Sequence, residues 1–186
     1  MTPERQNFER QLAAVRQDAH SLVTGLRDDQ FNWQPAPGRW SIAENLAHLN
    51  HGLRVVMPAL DRAIATGRAK GFTGEGPFNY GWIGNWMVRS FEPPVKRRYR
   101  TQRIFIPPPA RHAPAAVLAE FGAVRDDLSA RLAQADGLDW GRFRVVSPAS
   151  PLFRLRFGAY VAFLLAHDRR HLWTARRIPE QPGYPQ

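Results

Sequence analysis

Four segments of the chain repeat apolar residues at steps of three and four positions, and this spacing constrains the fold more than any other feature. Residues at these steps share one face of an α-helix, so each segment predicts an amphipathic helix. The segments span residues 4–26, 41–66, 114–135 and 152–178. Their number and order predict an all-α fold, a four-helix bundle with a long crossover connection between helices 2 and 3. The length favours a single domain over residues 1–186.

Capping and helix-breaking residues set the expected limits of these helices. Ser41, followed three residues later by Glu44, predicts a capping box at the start of the second helix. Pro179 is expected to end the fourth helix. Pro58 lies inside the second helix and predicts a kink or an interruption near residues 54–57, because its ring removes a backbone donor and clashes with the preceding turn.

The longest connection joins the second and third helices over residues 67–113. A connection of this length is uncommon in a compact domain and is often functional. Residues 82–91 within it predict a short helix, whereas residues 27–40 and 136–151 are expected to be loops. Its aromatic side chains either line a pocket or, as we favour, cover the end of the bundle core. They are Tyr80, Trp82, Trp86 and Phe91.

Composition excludes several kinds of function. Because the chain has no cysteine, it holds no disulfide, no thiolate-bound iron–sulfur cluster, no cysteine zinc finger and no cysteine nucleophile. A tightly bound metal must therefore use histidines and carboxylates. No apolar run is long enough to span a membrane, and the first residues do not resemble a signal peptide. We expect a cytoplasmic protein with no membrane partner.

The formal net charge of +10 raises the question of a nucleic-acid partner. The basic residues cluster in residues 89–103, either as a solvated loop, which we favour, or as an anion site. They are Arg89, Lys96, Arg97, Arg98, Arg100 and Arg103. Tyr99 and Phe105 alternate with these charges, as stacking platforms for bases would.

Two of the six histidines, His167 and His171, lie four residues apart on the fourth helix. This spacing places them one turn apart on one face and is able to direct two imidazoles toward one metal ion. At ~100° per residue, the pair lies in the middle of the apolar stripe, whereas Asp168 and Arg169 point away from it. Two buried imidazoles are costly without partners, so they require a metal ion or hydrogen bonds to the backbone or to each other.

The second helix offers a third histidine. On its helical wheel His51 lies opposite the apolar stripe, whereas His48 shares a second stripe of small and polar residues with Asn45. The wheel therefore selects His48 as the inward residue and leaves His51, like His20 and His112, at the surface. Three neutral histidines around one divalent ion are the ligand set of catalytic rather than structural zinc sites.

Three further polar residues are candidates for supporting roles. Asn45 or Glu44 could contact a metal ligand or act as a general base, although capping alone explains Glu44. Arg170 lies at the edge of the buried stripe and could bind an anionic group of the substrate. The alternative for Arg170, which we favour at this stage, is a solvent-exposed arginine.

Two segments, PAPGRWSIAENLAHLNH and the later AHDRRHLWTARRI, together resemble the DinB-like superfamily. More narrowly, they resemble the branch of YfiT-type metal-dependent hydrolases and of bacillithiol or mycothiol S-transferases. The pattern is a tryptophan and a serine or threonine opening a helix, a glutamate and a histidine four residues apart, and a late H-x-x-x-H. Its residues here are Trp40, Ser41, Glu44, His48, His167 and His171.

The resemblance implies a four-helix bundle in which His48, His167 and His171 hold one divalent metal ion per chain, usually zinc or nickel. It often implies a homodimer. The activities it implies involve a low-molecular-weight thiol, which binds the metal as a thiolate and attacks a small electrophilic substrate.

Three hypotheses for function follow. The first is a metal-dependent enzyme, a thiol S-transferase or a hydrolase, that activates a thiol or water. The second is a nucleic-acid-binding or stress-response interaction protein with a non-catalytic metal site. No helix carries a continuous basic face and no recognition-helix or RNP motif is present, so we do not expect a specific nucleic-acid partner. The third is a metal-stabilised scaffold without chemistry.

Overall fold

The computed structural model describes residues 1–96 and 99–186, and most of these are helical. Two short strands and a single 3₁₀ turn at Arg103–Phe105 complete the secondary structure of this part of the chain. The helices are α1 (Pro3–Val23), α2 (Asp28–Asn32), α3 (Ile42–Ala69), α4 (Gly81–Phe91), α5 (Pro114–Ala135) and α6 (Phe157–Ala175), and the strands are β1 (Arg144–Val146) and β2 (Arg154–Arg156).

The four long helices form the bundle, and this confirms the predicted all-α fold. Helix α3 packs on α5 and α6, and α1 packs on the same two helices. Their apolar stripes meet in one continuous core, closed at one end by the buried Trp140 and Phe143 from the segment that follows α5. Within the described residues, no helix combines the length and the apolar composition needed to cross a bilayer.

Pro58 does not interrupt the second long helix, so that part of the prediction is wrong. Helix α3 runs continuously from Ile42 to Ala69, with Pro58 on its exposed side. The neighbouring Met57 and Ala59 are buried in the core, and Arg54, whose carbonyl loses its helical donor to the proline, is exposed to water. Tertiary packing on one face and solvation on the other therefore keep the helix intact.

The fourth long helix begins later than predicted, because residues 154–156 form a strand. Strands β1 and β2 pair antiparallel, with Val145 opposite Leu155 and Arg144 opposite Arg156. Val145 and Leu155 are buried, whereas their neighbours along the strands are exposed or, in the case of Arg156, half-buried. This alternation has the period of two that a half-buried strand requires. The predicted loops also contain structure: β1 lies in residues 136–151 and α2 in residues 27–40.

The crossover between α3 and α5 folds back over the face of the bundle where α3 meets α6. The short helix expected within it is α4, which packs on α6. A Cβ on Gly84 would lie 2.8 Å from the Cβ of Ala159, so glycine permits this close approach. The 3₁₀ turn farther along the crossover contacts α3. Together these two pieces wall off a space above the α3–α6 seam.

Candidate metal centre

The start of α3 sets the direction of the side chains that enter this space. The Ser41 hydroxyl accepts the Glu44 N–H at 3.0 Å, and the Glu44 carboxylate accepts the Ser41 N–H at 2.7 Å, which confirms the capping box. Gln34 donates to both carboxylate oxygens of Glu44. Glu44 is therefore engaged in capping, and one turn farther on the helix presents Asn45 and His48 to the α3–α6 seam.

Three histidines meet at the seam, as the sequence predicts. The ligand nitrogens of His48, His167 and His171 all lie within 4.8 Å of one another, the one such group of metal-ligating side chains in residues 1–96 and 99–186. Nε2 of His48 lies 3.3 Å from Nε2 of His167. His51 does not join them, because its Nε2 donates to the Ile104 carbonyl at 3.0 Å on the outer side of α3.

Hydrogen bonds behind the rings orient two of the three imidazoles. Nδ1 of His48 donates to the Phe105 carbonyl at 2.8 Å, and Nδ1 of His171 donates to Oδ1 of Asn45 at 2.8 Å. Asn45 is held in turn by its Nδ2, which donates to the Ser41 carbonyl at 2.8 Å. Because Nδ1 carries the proton in both neutral rings, Nε2 is the nitrogen with a lone pair for a ligand.

The chemistry of the donor set, and the spacing of one pair of its nitrogens, fit a tetrahedral divalent ion. Zinc–nitrogen bonds of ~2.0–2.1 Å at tetrahedral angles place two ligand nitrogens about 3.3–3.4 Å apart. The separation of 3.3 Å between the Nε2 atoms of His48 and His167 matches this value. Without an ion, a proton on Nε2 of His167 could form a hydrogen bond to Nε2 of His48. That bond would not supply a donor to the lone pair on Nε2 of His171. Three imidazoles and no carboxylate supply the ligands.

Electrostatics keep these rings neutral, as metal ligation requires. Burial lowers the pKa of His48, although its bond to Phe105 opposes the shift. Burial, together with the neighbouring His48 and Arg170, lowers the pKa of His167 to about 3. Burial and the two other histidines also hold the pKa of His171 well below its usual range. All three rings are therefore neutral at neutral pH.

Asp168 faces away from the histidines, as its wheel position predicts, but toward α5 rather than toward water. It is buried, and Arg125, fully buried on α5, donates to its two carboxylate oxygens at 2.6 and 3.2 Å. Asn50 accepts a third bond from Arg125 at 2.8 Å. Arg125 was not predicted as a functional residue from the sequence. Its position four residues after Phe121, within the apolar stripe of α5, was the signal that could have found it.

The histidines lie in a cavity of about 1100 Å³ between α3, α4, α6 and the second half of the crossover. Trp86 and Phe91 line it, so these two aromatic residues of the crossover form a pocket wall; Trp82 and Tyr80 do not line it. The Tyr80 hydroxyl instead bonds to Glu4. The other aromatic residues of the wall are Trp40, Tyr99, Phe105, Phe153, Tyr160, Phe163 and Trp173.

Arg170 lines this cavity and is 7% exposed, so our interpretation of it as a solvent-exposed arginine is wrong. Its guanidinium carbon lies 5.3 Å from the centroid of Phe91 and 5.2 Å from that of Tyr99, which places the group against two aromatic rings. Those rings stack on each other with centroids 5.1 Å apart. The crossover buries Arg170, and a helical wheel contains no information about that segment.

His20 and His112 lie away from the triad, whereas Lys96, Tyr99 and Arg100 of the basic stretch line the same cavity as the triad. His20 is exposed and His112 is half-buried, and neither lines the cavity. In the basic stretch 89–103, Arg97 and Arg98 fall outside the described residues. The Tyr99 ring stacks on Phe91.

Comparison with known proteins gives one result. Residues 11–175 match the family model described as the DinB superfamily, a span that includes all three histidines. No curated protein and no solved structure matches the chain.

Proposed function

The chain belongs to the DinB superfamily, and on that premise we propose that it is a metal-dependent enzyme in which His48, His167 and His171 hold one divalent ion, zinc or nickel. One observation carries the proposal. Three neutral imidazoles, with no carboxylate among them, converge on one point at the wall of a cavity large enough for substrates. This ligand set leaves the ion its full positive charge and an open coordination position.

Such an ion acts as a Lewis acid that favours the deprotonated form of a thiol or of water near neutral pH. The protein's own groups then have defined tasks. The Phe105 carbonyl and the Asn45 amide hold Nδ1 of His48 and of His171, which would leave Nε2 of each ring to bind the ion. The aromatic walls exclude bulk water and contact the apolar part of a substrate.

We favour a thiol S-transferase over a hydrolase. The chain has no cysteine, so a sulfur nucleophile must come from a low-molecular-weight thiol. Small-molecule sites commonly measure ~300–1,000 Å³, so about 1100 Å³ accommodates a small thiol and an electrophilic substrate together.

Arg170 is the proposed anchor for an anionic group of one of these molecules. It is a permanent positive charge on the cavity wall, one residue before His171. A guanidinium binds a carboxylate or a phosphate through two parallel hydrogen bonds, so it would orient the bound molecule as well as attract it.

Metal analysis tests the first part of the proposal. Protein purified without a nickel column should contain close to one divalent ion per chain, and His48→Ala, His167→Ala or His171→Ala should each remove most of it. His51→Ala is the matched control, because His51 lies one turn from His48 on the same helix but bonds outside the cavity. Loss of the ion from the His51 variant, with retention in the His48 variant, would show that the ligand assignment is wrong.

Spectroscopy on cobalt-substituted protein tests the second part. Adding bacillithiol, mycothiol or a simpler thiol should produce a sulfur-to-cobalt charge-transfer band, with a midpoint in pH well below the pKa of ~8.5 of a free thiol. The S-methyl derivative of the same thiol is the control and should produce no band. If every thiol leaves the spectrum unchanged, the transferase hypothesis fails and the hydrolase becomes the better candidate.

A further inference from the structure

A second surface, which borders the metal cavity at Trp86 and at the hairpin turn, combines exposed apolar side chains with arginines that form no ion pair within the described residues. We call it the α4–hairpin surface: the outer face of α4, the outer face of the β1–β2 hairpin, and the hairpin turn at residues 147–153. Trp82 on α4 is 78% exposed and Leu152 in the turn is 90% exposed. Ile83 and Trp86 are each more than half exposed. Large apolar side chains clustered in this way usually mark an interaction site.

The side chains of α4 divide between two faces. Gly84 is buried against α6, whereas Trp82, Trp86 and Arg89 follow one another at helical steps of four and three on the exposed face. The outward face thus carries Trp82 and Trp86, with the polar Asn85 between them, and ends in a positive charge. Nothing else in the described part of the chain covers it.

The hairpin continues this face. Arg156 on β2 donates to the Asn79 carbonyl at 2.6 Å, immediately before α4, and α4 contacts β2 directly. Ala149 and Ser150 of the hairpin turn line the same cavity as Trp86, so α4 and the turn both border it. Trp82 lies on α4 and Leu152 lies in that turn, and we include both in the α4–hairpin surface.

The outer face of the hairpin is cationic. Arg144 lies opposite Arg156, and Arg154 lies opposite Val146. Like charges directly opposite each other on paired strands are destabilising. No carboxylate within residues 1–96 and 99–186 forms an ion pair with any of these arginines, and residues 140–167 contain no aspartate or glutamate at all. These arginines are therefore available to bind an anionic partner.

We propose that the α4–hairpin surface docks on an anionic lipid bilayer. Tryptophan is favoured at the boundary between headgroups and acyl chains, and an exposed leucine on a turn can insert beside it. The arginines then lie at the depth of the lipid phosphates, where each guanidinium gains charge-assisted hydrogen bonds. This revises the sequence-based expectation of no membrane partner, which considered only spanning segments.

Two other partners fit the surface less well. A second copy of this chain, related by a two-fold axis, would bring two cationic hairpin faces together, and residues 140–167 supply no carboxylate to either. Single-stranded nucleic acid stacks its bases on aromatic rings, but Ile83 and Leu152, which are aliphatic, supply part of the exposed apolar area. An anionic lipid surface offers acyl chains to the aliphatic side chains and phosphates to the arginines.

Co-sedimentation with vesicles tests the proposal. The wild-type protein should bind vesicles that contain phosphatidylglycerol and should bind vesicles of pure phosphatidylcholine far more weakly. Arg154→Gln should lower the partition coefficient about fivefold. Trp82→Ser and Leu152→Ser should each lower it roughly tenfold or more, because a buried apolar contact is lost. Arg176→Gln is the matched control: it removes an exposed charge about 30 Å away along α6 and should change nothing.

Several outcomes would overturn the proposal. Absence of vesicle binding by the wild type at low salt would do so, as would binding that Trp82→Ser and Leu152→Ser leave intact. If the protein bound single-stranded oligonucleotides through Trp82 and Trp86 but not the vesicles, the surface would be a nucleic-acid site. If sedimentation showed a dimer that Leu152→Ser dissociates, and no vesicle binding, the surface would be a contact between copies. Each variant changes an exposed residue, so thermal melting should show an unaltered fold.

Discussion

Replacing Asn45 by alanine should weaken metal binding without unfolding the bundle. Asn45 is 1% exposed and accepts the Nδ1 proton of His171 at 2.8 Å. The variant leaves that N–H buried without an acceptor, which costs about 1–3 kcal/mol of stability. The Ser41 carbonyl keeps a partner, because it also accepts the backbone N–H of residue 45 at 3.2 Å. The damage is therefore confined to the orientation of His171.

The expected loss of metal affinity is about 10–100-fold, the range typical of removing a hydrogen bond that orients a ligand histidine. Asn45→Asp should bind zinc within a few-fold of the wild type or more tightly, because a carboxylate still accepts from His171 and makes the ring more basic. The order of affinities, aspartate and asparagine above alanine, distinguishes orientation of the ligand from simple loss of packing.

Asn50→Ala is the matched control. Asn50 is also a buried asparagine of α3, but it bonds Arg125 and the Val117 carbonyl and touches no histidine. Its replacement should lower the unfolding free energy by a similar amount and leave zinc affinity unchanged. The assay is zinc titration against a competing chelator, with urea denaturation of the metal-free proteins alongside. Equal zinc affinity in the Asn45→Ala variant and the wild type would refute the reasoning, as would a weaker affinity in the Asn50→Ala variant alone.

Three further predictions concern stability. The metal-free protein should lose stability as the pH falls below about 6.5. The three ligand histidines have a lowered pKa in the folded chain, that of His167 to about 3, so the unfolded chain binds more protons than the folded chain in this pH range. Urea midpoints that stay constant from neutral pH to about pH 5 would contradict this. Asp168→Ala should lower the free energy of unfolding by about 3–5 kcal/mol, because Arg125 is left as an uncompensated buried charge. Replacing both Asp168 and Arg125 with apolar residues should lower it by less, and chemical denaturation of the two variants measures the difference. Gly158→Ala should lower the free energy of unfolding by about 1–3 kcal/mol or more, because the new Cβ would overlap the Tyr80 ring. A melting temperature equal to that of the wild type would refute that close contact.

Local chemistry in the sequence determined the helices and, together with the family resemblance, selected the three histidines that the structure brings together. A helix turns by a constant angle per residue, so the capping box at Ser41 and the apolar periodicity after it together determine that His48 faces inward and His51 outward. The same constant angle places His167 and His171 on one face. None of these conclusions requires knowledge of any other segment, which is why they agree with the structure.

The tertiary structure alone decided what surrounds the triad. Arg170 is buried because the crossover folds over the seam, and Asp168 is buried because Arg125 reaches it from α5. Both contacts join segments far apart in the chain. The sequence of a single helix contains no information about which side chains from other segments will lie against it, or about their charge. The hairpin was missed for the same reason. Its strands have only three residues each, too few for a clear period of two, and pairing with each other and burial of Val145 and Leu155 stabilise them.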